Sequence, residues 1–200
     1  FNQYLAFDKW QVIRDGAEIE FSKLDRIDID DKTPATTEEE FLKKEFKDIS
    51  IENIGLDAII TDTLIMRVKE IEKCLNSDAP LSVIFLAGST LEGVLLGIAL
   101  KNQIEFNQSN SSPKDKNGKV KKFQDWTLNN LIDVAYDVGF LAVDIKRYSH
   151  SLRDFRNYIH PYQQMSENFN PDKHTAKISW QVLKAALYQL SINQKRSGTD

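Results

Sequence analysis

The sequence predicts an all-α protein, a bundle of about five helices preceded by a small N-terminal β-hairpin. Apolar residues recur at helical spacing over most of residues 51–195. Only residues 9–22 alternate apolar and polar side chains as a half-buried strand does. With 200 residues, 41% of them hydrophobic and 28% charged, the chain can form one domain with a sizeable core and an appendage. We therefore expect a helical domain at 51–195, an appendage at 1–50 and a disordered tail at 196–200.

The appendage begins with the predicted hairpin. Its turn is Asp15-Gly16, a dipeptide favoured in two-residue hairpin loops. An acidic connector follows and ends at Pro34; it lacks the glycine and the closing glutamate of a calcium-binding loop, so we interpret it as solvated. The stretch "TTEEEFLKKEFK" then starts with a capping-box pattern, which predicts a first helix.

Two helices open the main domain. Residues 57–75 carry apolar side chains at helical spacing, and Pro80 starts the very apolar stretch "LSVIFLAGSTLEGVLLGIAL". That stretch is about as long as a membrane span. Glu92 lies near its middle and no second such segment exists, which favours a buried core helix and no membrane. The single cysteine, Cys74, excludes an intrachain disulfide and fits a reducing, cytoplasmic compartment.

A polar loop separates these helices from the later ones. Residues 107–122 contain five lysines from Lys114 to Lys122, which indicate either a solvated loop or an arm that attracts phosphate. The net charge of −4 means that any nucleic-acid contact must come from a local patch or from two copies of the chain. The predicted phosphate-binding residues are Lys119, Lys121, Lys122 and Lys146.

Three more helices complete the bundle. The first covers about residues 123–140, with Gly139 as its C-cap. The second covers residues 143–160 and ends at Pro161. The third begins near Pro171 and continues to about residue 194, with a proline again in the first turn.

The stretch "LRDFRNYIHP", residues 152–161, is the candidate site. On a helical wheel one sector of about 80° holds apolar side chains that we expect in the core: Ile145, Tyr148, Leu152, Phe155 and Ile159. Another sector of about 100° holds polar side chains that we expect on an outward face: Arg153, Arg156, Asn157 and His160. Lys146, Ser149 and His150 extend the same polar face towards the N-terminus of this helix.

These residue types suit phosphate chemistry. A histidine takes and returns protons near neutral pH, and a guanidinium binds phosphate oxygens through two parallel N–H groups. Together with an asparagine they suit metal-independent RNA cleavage, in which the 2′-hydroxyl attacks the neighbouring phosphate. A symmetric dimer would join two such faces in one cationic cleft. The same spacing also fits an ordinary surface helix, with solvated arginines and a histidine at the negative helix end.

Glu92 is a supporting candidate. A carboxylate within an apolar helix needs a cationic or hydrogen-bonding partner, and an arginine of the candidate site would be held in place by it. Gly88, Gly93 and Gly97 indicate close helix packing, since no strand or GxxxxGK pattern accompanies them. The three histidines show no zinc-binding spacing, so we expect neither a metal nor a cofactor.

The run "RDFRNYIH" resembles the signature of the HEPN superfamily, an arginine and a polar residue followed a few positions later by a histidine. The wider sequence of about residues 55–195 is similar to HEPN-like domains of bacterial abortive-infection and phage-defence proteins. The resemblance implies a homodimeric helical bundle and, in many members, a metal-independent endoribonuclease that acts as a toxin. Other members are non-catalytic modules that dimerise, sense, or bind nucleic acid or a partner of the same defence system.

The signature fits this chain in two registers. With Arg153 as the motif arginine, Asp154 is the polar residue that follows it, and six residues lie between Arg153 and His160. With Arg156, Asn157 is the polar follower but only three residues intervene, one short of the pattern. The resemblance implies that His160 is the acid or base and that one of the two arginines is the phosphate clamp.

Overall fold

The computed structural model describes residues 10–15, 18–23, 38–46 and 49–197. The chain divides into two compact units, residues 1–34 and 35–200. In the first unit, strands β1 (Trp10–Asp15) and β2 (Glu18–Lys23) pair antiparallel, with Asp15 opposite Glu18. Gly16 and the acidic connector lie outside the described residues, so the predicted hairpin turn stays a prediction.

The second unit is helical, which confirms the all-α class at the level of secondary structure. Its described helices are α1 (Glu38–Lys43), α2 (Ala58–Asn76), α3 (Pro80–Lys101), α4 (Gln103–Gln108), α5 (Leu128–Asp137), α6 (Val143–Arg156), α7 (Pro161–Ser166) and α8 (Lys173–Ser197). Short 3₁₀ turns cover Glu52–Ile54, Phe123–Asp125 and Asn157–Ile159.

Helix α3 lies at the centre of this unit. It packs against α2, α5, α6 and α8, and its buried side chains include Val83, Leu91 and Leu95. It is long and apolar enough to cross a membrane, but 61% of its most apolar stretch is buried inside the unit. This burial supports the prediction of a core helix, because the neighbouring helices cover the apolar surface.

Local signals set the bounds of α5. The Thr127 hydroxyl oxygen accepts the backbone N–H of Asn130 at 3.3 Å, and the Asn130 carboxamide oxygen accepts the backbone N–H of Thr127 at 3.0 Å. This reciprocal capping box satisfies two backbone donors at the helix start. Gly139 adopts a left-handed φ of 84° just after the helix end, where a side chain would be strained.

Helix α6 ends four residues earlier than the sequence suggested. The chain leaves the α-helix after Arg156, makes the 3₁₀ turn, and extends at His160 with φ −84° and ψ 112°. A proline disfavours helical dihedrals in the residue before it, so Pro161 forces His160 out of the helix and starts α7. His160 therefore does not continue the wheel of α6.

The ends of the helical unit also differ from the prediction. Helix α8 begins at Lys173 and continues to Ser197, so the predicted tail at 196–200 begins within a helix, and residues 198–200 lie outside the described part. Lysine and arginine are good helix formers, which explains why the helix continues. At the other end, Phe41 is buried and stacks on Tyr148 with ring centroids 4.0 Å apart.

Gln181 of α8 holds the segment around Phe41. Its carboxamide nitrogen donates to the backbone carbonyls of Lys44 at 2.6 Å and of Phe41 at 3.4 Å. The helical core thus takes in side chains from before residue 51, within the stretch that the sequence assigned to an appendage.

Candidate functional site

Arg156 packs across α3. Its Nη1 donates to Glu92 Oε2 at 2.6 Å, and each of the two side chains keeps about a third of its surface exposed (34% and 30%). Its aliphatic stem lies over Gly88, where an added Cβ would be 2.9 Å from Arg156 Cδ. The absence of a side chain at position 88 therefore makes room for the arginine. Arg156 lies towards α3, so its predicted place on the outward face of α6 is wrong.

A second arginine reaches the same helix. Arg67 of α2 donates from Nη1 to the hydroxyl of Ser89 at 2.7 Å, and Ser89 lies one turn before Glu92. Arg67 was not among the predicted site residues, because its position on α2 carries no motif. Two guanidiniums thus bind neighbouring polar side chains of α3, one from each flanking helix.

Arg153 lies on the other side of α6, next to α5. Its guanidinium donates to the side-chain oxygen of Asn129 and to Asp154, with Nε 3.1 Å from Asp154 Oδ1. The Arg153 side chain is 31% exposed. The two candidate arginines are therefore held by different neighbours, at different edges of the same helix.

A polar cluster between α5 and α6 joins Lys146 and His150, which the sequence pattern had indicated, to Asn129 and Asp133, which it had not. Asp133 Oδ1 lies 3.0 Å from Lys146 Nζ and 3.1 Å from His150 Nε2, and Asp133 Oδ2 accepts the Asn129 amide at 2.9 Å. We call Asn129, Asp133, Lys146 and His150 the Asp133 cluster. Asn129 and Asp133 are four residues apart on one face of α5, a spacing that many solvated helices share, so only packing against α6 shows their role.

Charge within the Asp133 cluster sets the ionisation of its carboxyl group. Burial acts to raise the pKa of Asp133, but the hydrogen bonds from His150 and Lys146 outweigh it, so the pKa lies below its ordinary value. Lys146 also lies over the Tyr136 ring, 4.5 Å from its centroid. Lys146, predicted to bind phosphate, is thus engaged within the protein, with a side chain only 15% exposed.

Ser149 is fully buried, so its predicted place on the polar face is wrong. It follows Ile145 by four residues and precedes Leu152 by three, which places all three side chains on one face of the helix. Its hydroxyl has no hydrogen-bond partner among the described residues. Ser149 belongs to the packing face of α6.

The predicted apolar face of α6 is confirmed only in part. Ile145 and Leu152 are buried, and Tyr148 packs on the core. Phe155 is half-buried and stacks on Phe169 with a 2° interplanar angle, beside the ring of Tyr158. Ile159 is 50% exposed, so its predicted place in the core is wrong. The α-helix has already ended at this position, and residue 159 no longer shares the face of residue 152.

His160 is exposed at the start of α7. Its backbone N–H donates to Asn157 O at 3.1 Å, whereas its imidazole forms no hydrogen bond or ion pair within the described part of the chain. Asn157, the half-buried residue that begins the 3₁₀ turn, likewise shows no side-chain hydrogen bond there. No hydrogen bond therefore joins the histidine to either arginine.

The other three lysines predicted to bind phosphate lie in the loop between α4 and α5. Lys119, Lys121 and Lys122 are exposed, and the loop forms a small antiparallel bridge between Lys114 and Val120. We call residues 112–126 the lysine hairpin. Across residues 38–46 and 49–197, no group of three or more histidine, cysteine, aspartate or glutamate side chains is placed to hold a metal ion.

No family model, curated protein or solved structure matches this chain. The contacts reduce the candidate site to three parts. These are the two engaged arginines (Arg156 paired with Glu92 of α3, and Arg153 bonded to Asp154 and to Asn129 of α5), the Asp133 cluster, and the exposed His160.

Proposed function

We propose that this chain is a metal-independent endoribonuclease of the HEPN kind, acting as a cytoplasmic homodimer in abortive infection or toxin-like phage defence. His160 acts as the general acid or base while an arginine binds the phosphate that the 2′-hydroxyl attacks. The observation that carries this proposal is the exposure of His160 with an unengaged imidazole, a few residues after two arginines held by other side chains. An imidazole without a protein partner is available for proton transfer.

Arg156 is the better phosphate clamp of the two. A guanidinium has five N–H donors, and Arg156 uses one of them on Glu92, whereas Arg153 uses three on Asn129 and Asp154. The ion pair with Glu92 and the slot at Gly88 fix the Arg156 stem while a third of its side chain stays open to solvent. Such pre-positioning favours stabilisation of charge that develops on a phosphate.

The second copy of the chain is expected next to His160. Apolar side chains that flank it in sequence are exposed: Ile159 is 50% exposed, Met165 70% and Tyr162 83%. Several exposed apolar side chains within a short segment are typical of an interaction surface. A two-fold axis near these residues would place two histidines and their arginines in one cleft.

An RNA cleavage assay in the presence of EDTA tests the proposal. We expect the full chain to cut RNA and leave a 2′,3′-cyclic phosphate, and the His160→Ala variant to be slower by roughly 10²–10⁴-fold. His174→Ala is the matched control, since His174 is also exposed and lies in the first turn of another helix. Full activity in the His160→Ala protein would refute the assignment of this residue.

His150 provides a comparison within the same assay. It is bonded to Asp133, and an aspartate that orients a histidine is a common arrangement for proton transfer. If His150→Ala abolishes cleavage while His160→Ala does not, the acid or base belongs to the Asp133 cluster. The arginine assignment is tested by Arg156→Lys, which keeps the positive charge but loses the planar guanidinium with its parallel N–H donors.

A non-catalytic module is the second candidate function. The observation that favours it is the engagement of Arg153, Arg156 and His150 in bonds that join neighbouring helices. Such a module dimerises, senses, or binds nucleic acid or a partner protein without turnover. Stable dimers that bind RNA but leave it intact would support this candidate, and a monomer at every concentration tested would count against both.

A further inference from the structure

The lysine hairpin concentrates positive charge in an acidic protein. It contains five lysines and two aspartates, a formal charge of +3 in a chain whose total is −4. All five lysines are exposed, and none forms an ion pair within the part of the chain that the structure describes. Exposed cations without carboxylate partners are available to an anionic ligand.

Asp115, the only carboxylate among the five lysines, is used within the loop. Its Oδ1 accepts the backbone N–H groups of Asn117 at 2.8 Å and Lys119 at 2.9 Å. Its own N–H donates to Lys119 O at 2.8 Å, and Gly118 takes the left-handed φ of 77° that this tight turn requires. The carboxylate therefore fixes the turn that displays the lysines.

The base of the lysine hairpin is anchored to the helical core. The indole N–H of Trp126 donates to Lys121 O at 2.9 Å, and Trp126 is only 5% exposed. The hydroxyl of Ser112, also buried, donates to Phe106 O. A loop held at both ends binds a ligand at a lower entropic cost than a mobile one.

The positions of the aromatic rings decide the class of ligand. Trp126 packs on Phe123, with centroids 4.9 Å apart, and on Phe106, so its ring faces the core. Single-stranded nucleic acid is bound through exposed aromatic rings that stack on bases, whereas the two rings of the lysine hairpin are buried (Trp126) or half-buried and packed on Trp126 (Phe123). Double-stranded nucleic acid is bound through its phosphates and shape, which needs only placed cations.

We propose that the lysine hairpin is a sequence-independent docking surface for the phosphate backbone of double-stranded nucleic acid. Lys114, Lys116, Lys119, Lys121 and Lys122 supply the contacts. That the duplex is RNA, a base-paired region of the cleaved substrate, rests on the proposed function; the binding itself does not. An anionic membrane fits less well, because Trp126 is buried and the half-buried Val120 and Phe123 pack against the core.

Binding is measured by fluorescence anisotropy of a labelled RNA duplex of about 20 base pairs, over a series of salt concentrations. We expect Lys119→Gln/Lys121→Gln to weaken binding roughly tenfold or more at about 0.1 M salt and to reduce the salt slope by about two. The control is Lys69→Gln/Lys177→Gln, which removes the same charge from exposed lysines of α2 and α8. We expect it to change affinity less than about threefold.

Further probes separate the alternatives. A DNA duplex, a single-stranded RNA, vesicles containing phosphatidylserine, and polyglutamate are compared under the same conditions. Equal affinities of the hairpin and control variants would overturn the proposal. So would tighter binding of the single strand, the vesicles or polyglutamate than of the duplexes. Hairpin-dependent duplex binding without RNA cleavage would leave this proposal standing while removing the nuclease; cleavage with hairpin-independent duplex binding would do the reverse.

Discussion

Gly88 is the position where a single methyl group most directly tests the arrangement of Arg156. An alanine Cβ there would lie 2.9 Å from Arg156 Cδ and 3.3 Å from its Cβ and Cγ, closer than side chains normally pack. The arginine cannot simply swing away, because its far end is held by Glu92 at 2.6 Å. We therefore expect Gly88→Ala to displace Arg156 and lengthen or break its ion pair.

The size of the effect follows from opposing contributions to the free energy of unfolding. Alanine in place of glycine within a helix stabilises by about 0.8–1 kcal/mol. Overpacking costs about 1–3 kcal/mol, and a partly exposed ion pair contributes about 0.2–1 kcal/mol. The net expectation for Gly88→Ala is a loss of about 0.2–3 kcal/mol. Gly93→Ala meets only Leu64 Cδ2, at 3.4 Å, so it should gain about 0.5–1 kcal/mol.

The assay is urea unfolding followed by far-ultraviolet circular dichroism at one fixed protein concentration. Gly88→Ala is measured alone, beside Gly93→Ala, and again in an Arg156→Ala background. Truncating Arg156 removes the closest contact, so the two substitutions should couple by about 1 kcal/mol or more. The reasoning is refuted if Gly88→Ala and Gly93→Ala stabilise equally, or if the coupling with Arg156 is absent.

Two further predictions concern other parts of the structure. Asp133→Asn removes the charge that Lys146 and His150 contact, so at pH 7 we expect a loss of about 1–3 kcal/mol in urea unfolding. Because folding lowers the pKa of Asp133, its contribution is present above the unfolded pKa of about 3.9 and is lost as the pH falls through the folded pKa. The difference in free energy of unfolding between the wild type and Asp133→Asn should therefore shrink below about pH 4. A difference that stays constant down to about pH 2.5 would contradict this prediction. Phe169→Ala removes the ring that stacks on the end of α6, so amide exchange should accelerate across residues 157–172 but not in α8; unchanged exchange in 157–172 would show that the stack does not hold this segment.

Local sequence signals predicted the main helices because those signals act within one turn. Pro80 opens α3 and Gly139 stops the chain after α5, each by backbone chemistry visible in the sequence. The cap at Thr127 was not predicted, and α5 begins at Leu128, not near residue 123. The near-continuous apolar character of α3 likewise predicted its central, buried place.

The helical-wheel prediction was wrong for Ser149 and Arg156 within α6, and again where it was extended beyond the end of that helix. A regular helix to His160 would give the face that we predicted, but Pro161 ends the α-helix earlier and moves His160 and Ile159 off that face. Arg156 lies over α3 because position 88 is a glycine, which depends on how two helices cross. The partners of Asp133 likewise lie on a neighbouring helix, and a linear pattern does not specify such a pairing.

The hydrogen bonds of Gln181 join α8 to Phe41 and Lys44, which precede it by 140 and 137 residues. At a synthesis rate of about 5–20 residues per second, roughly 7–28 s separate the appearance of these partners on the ribosome. Helix α3 is made within that interval, and the apolar surface that α8 covers then stays open until α8 has been made. The helical unit is therefore incomplete until α8 has emerged, and a chaperone that shields α3 would protect it from aggregation up to that point.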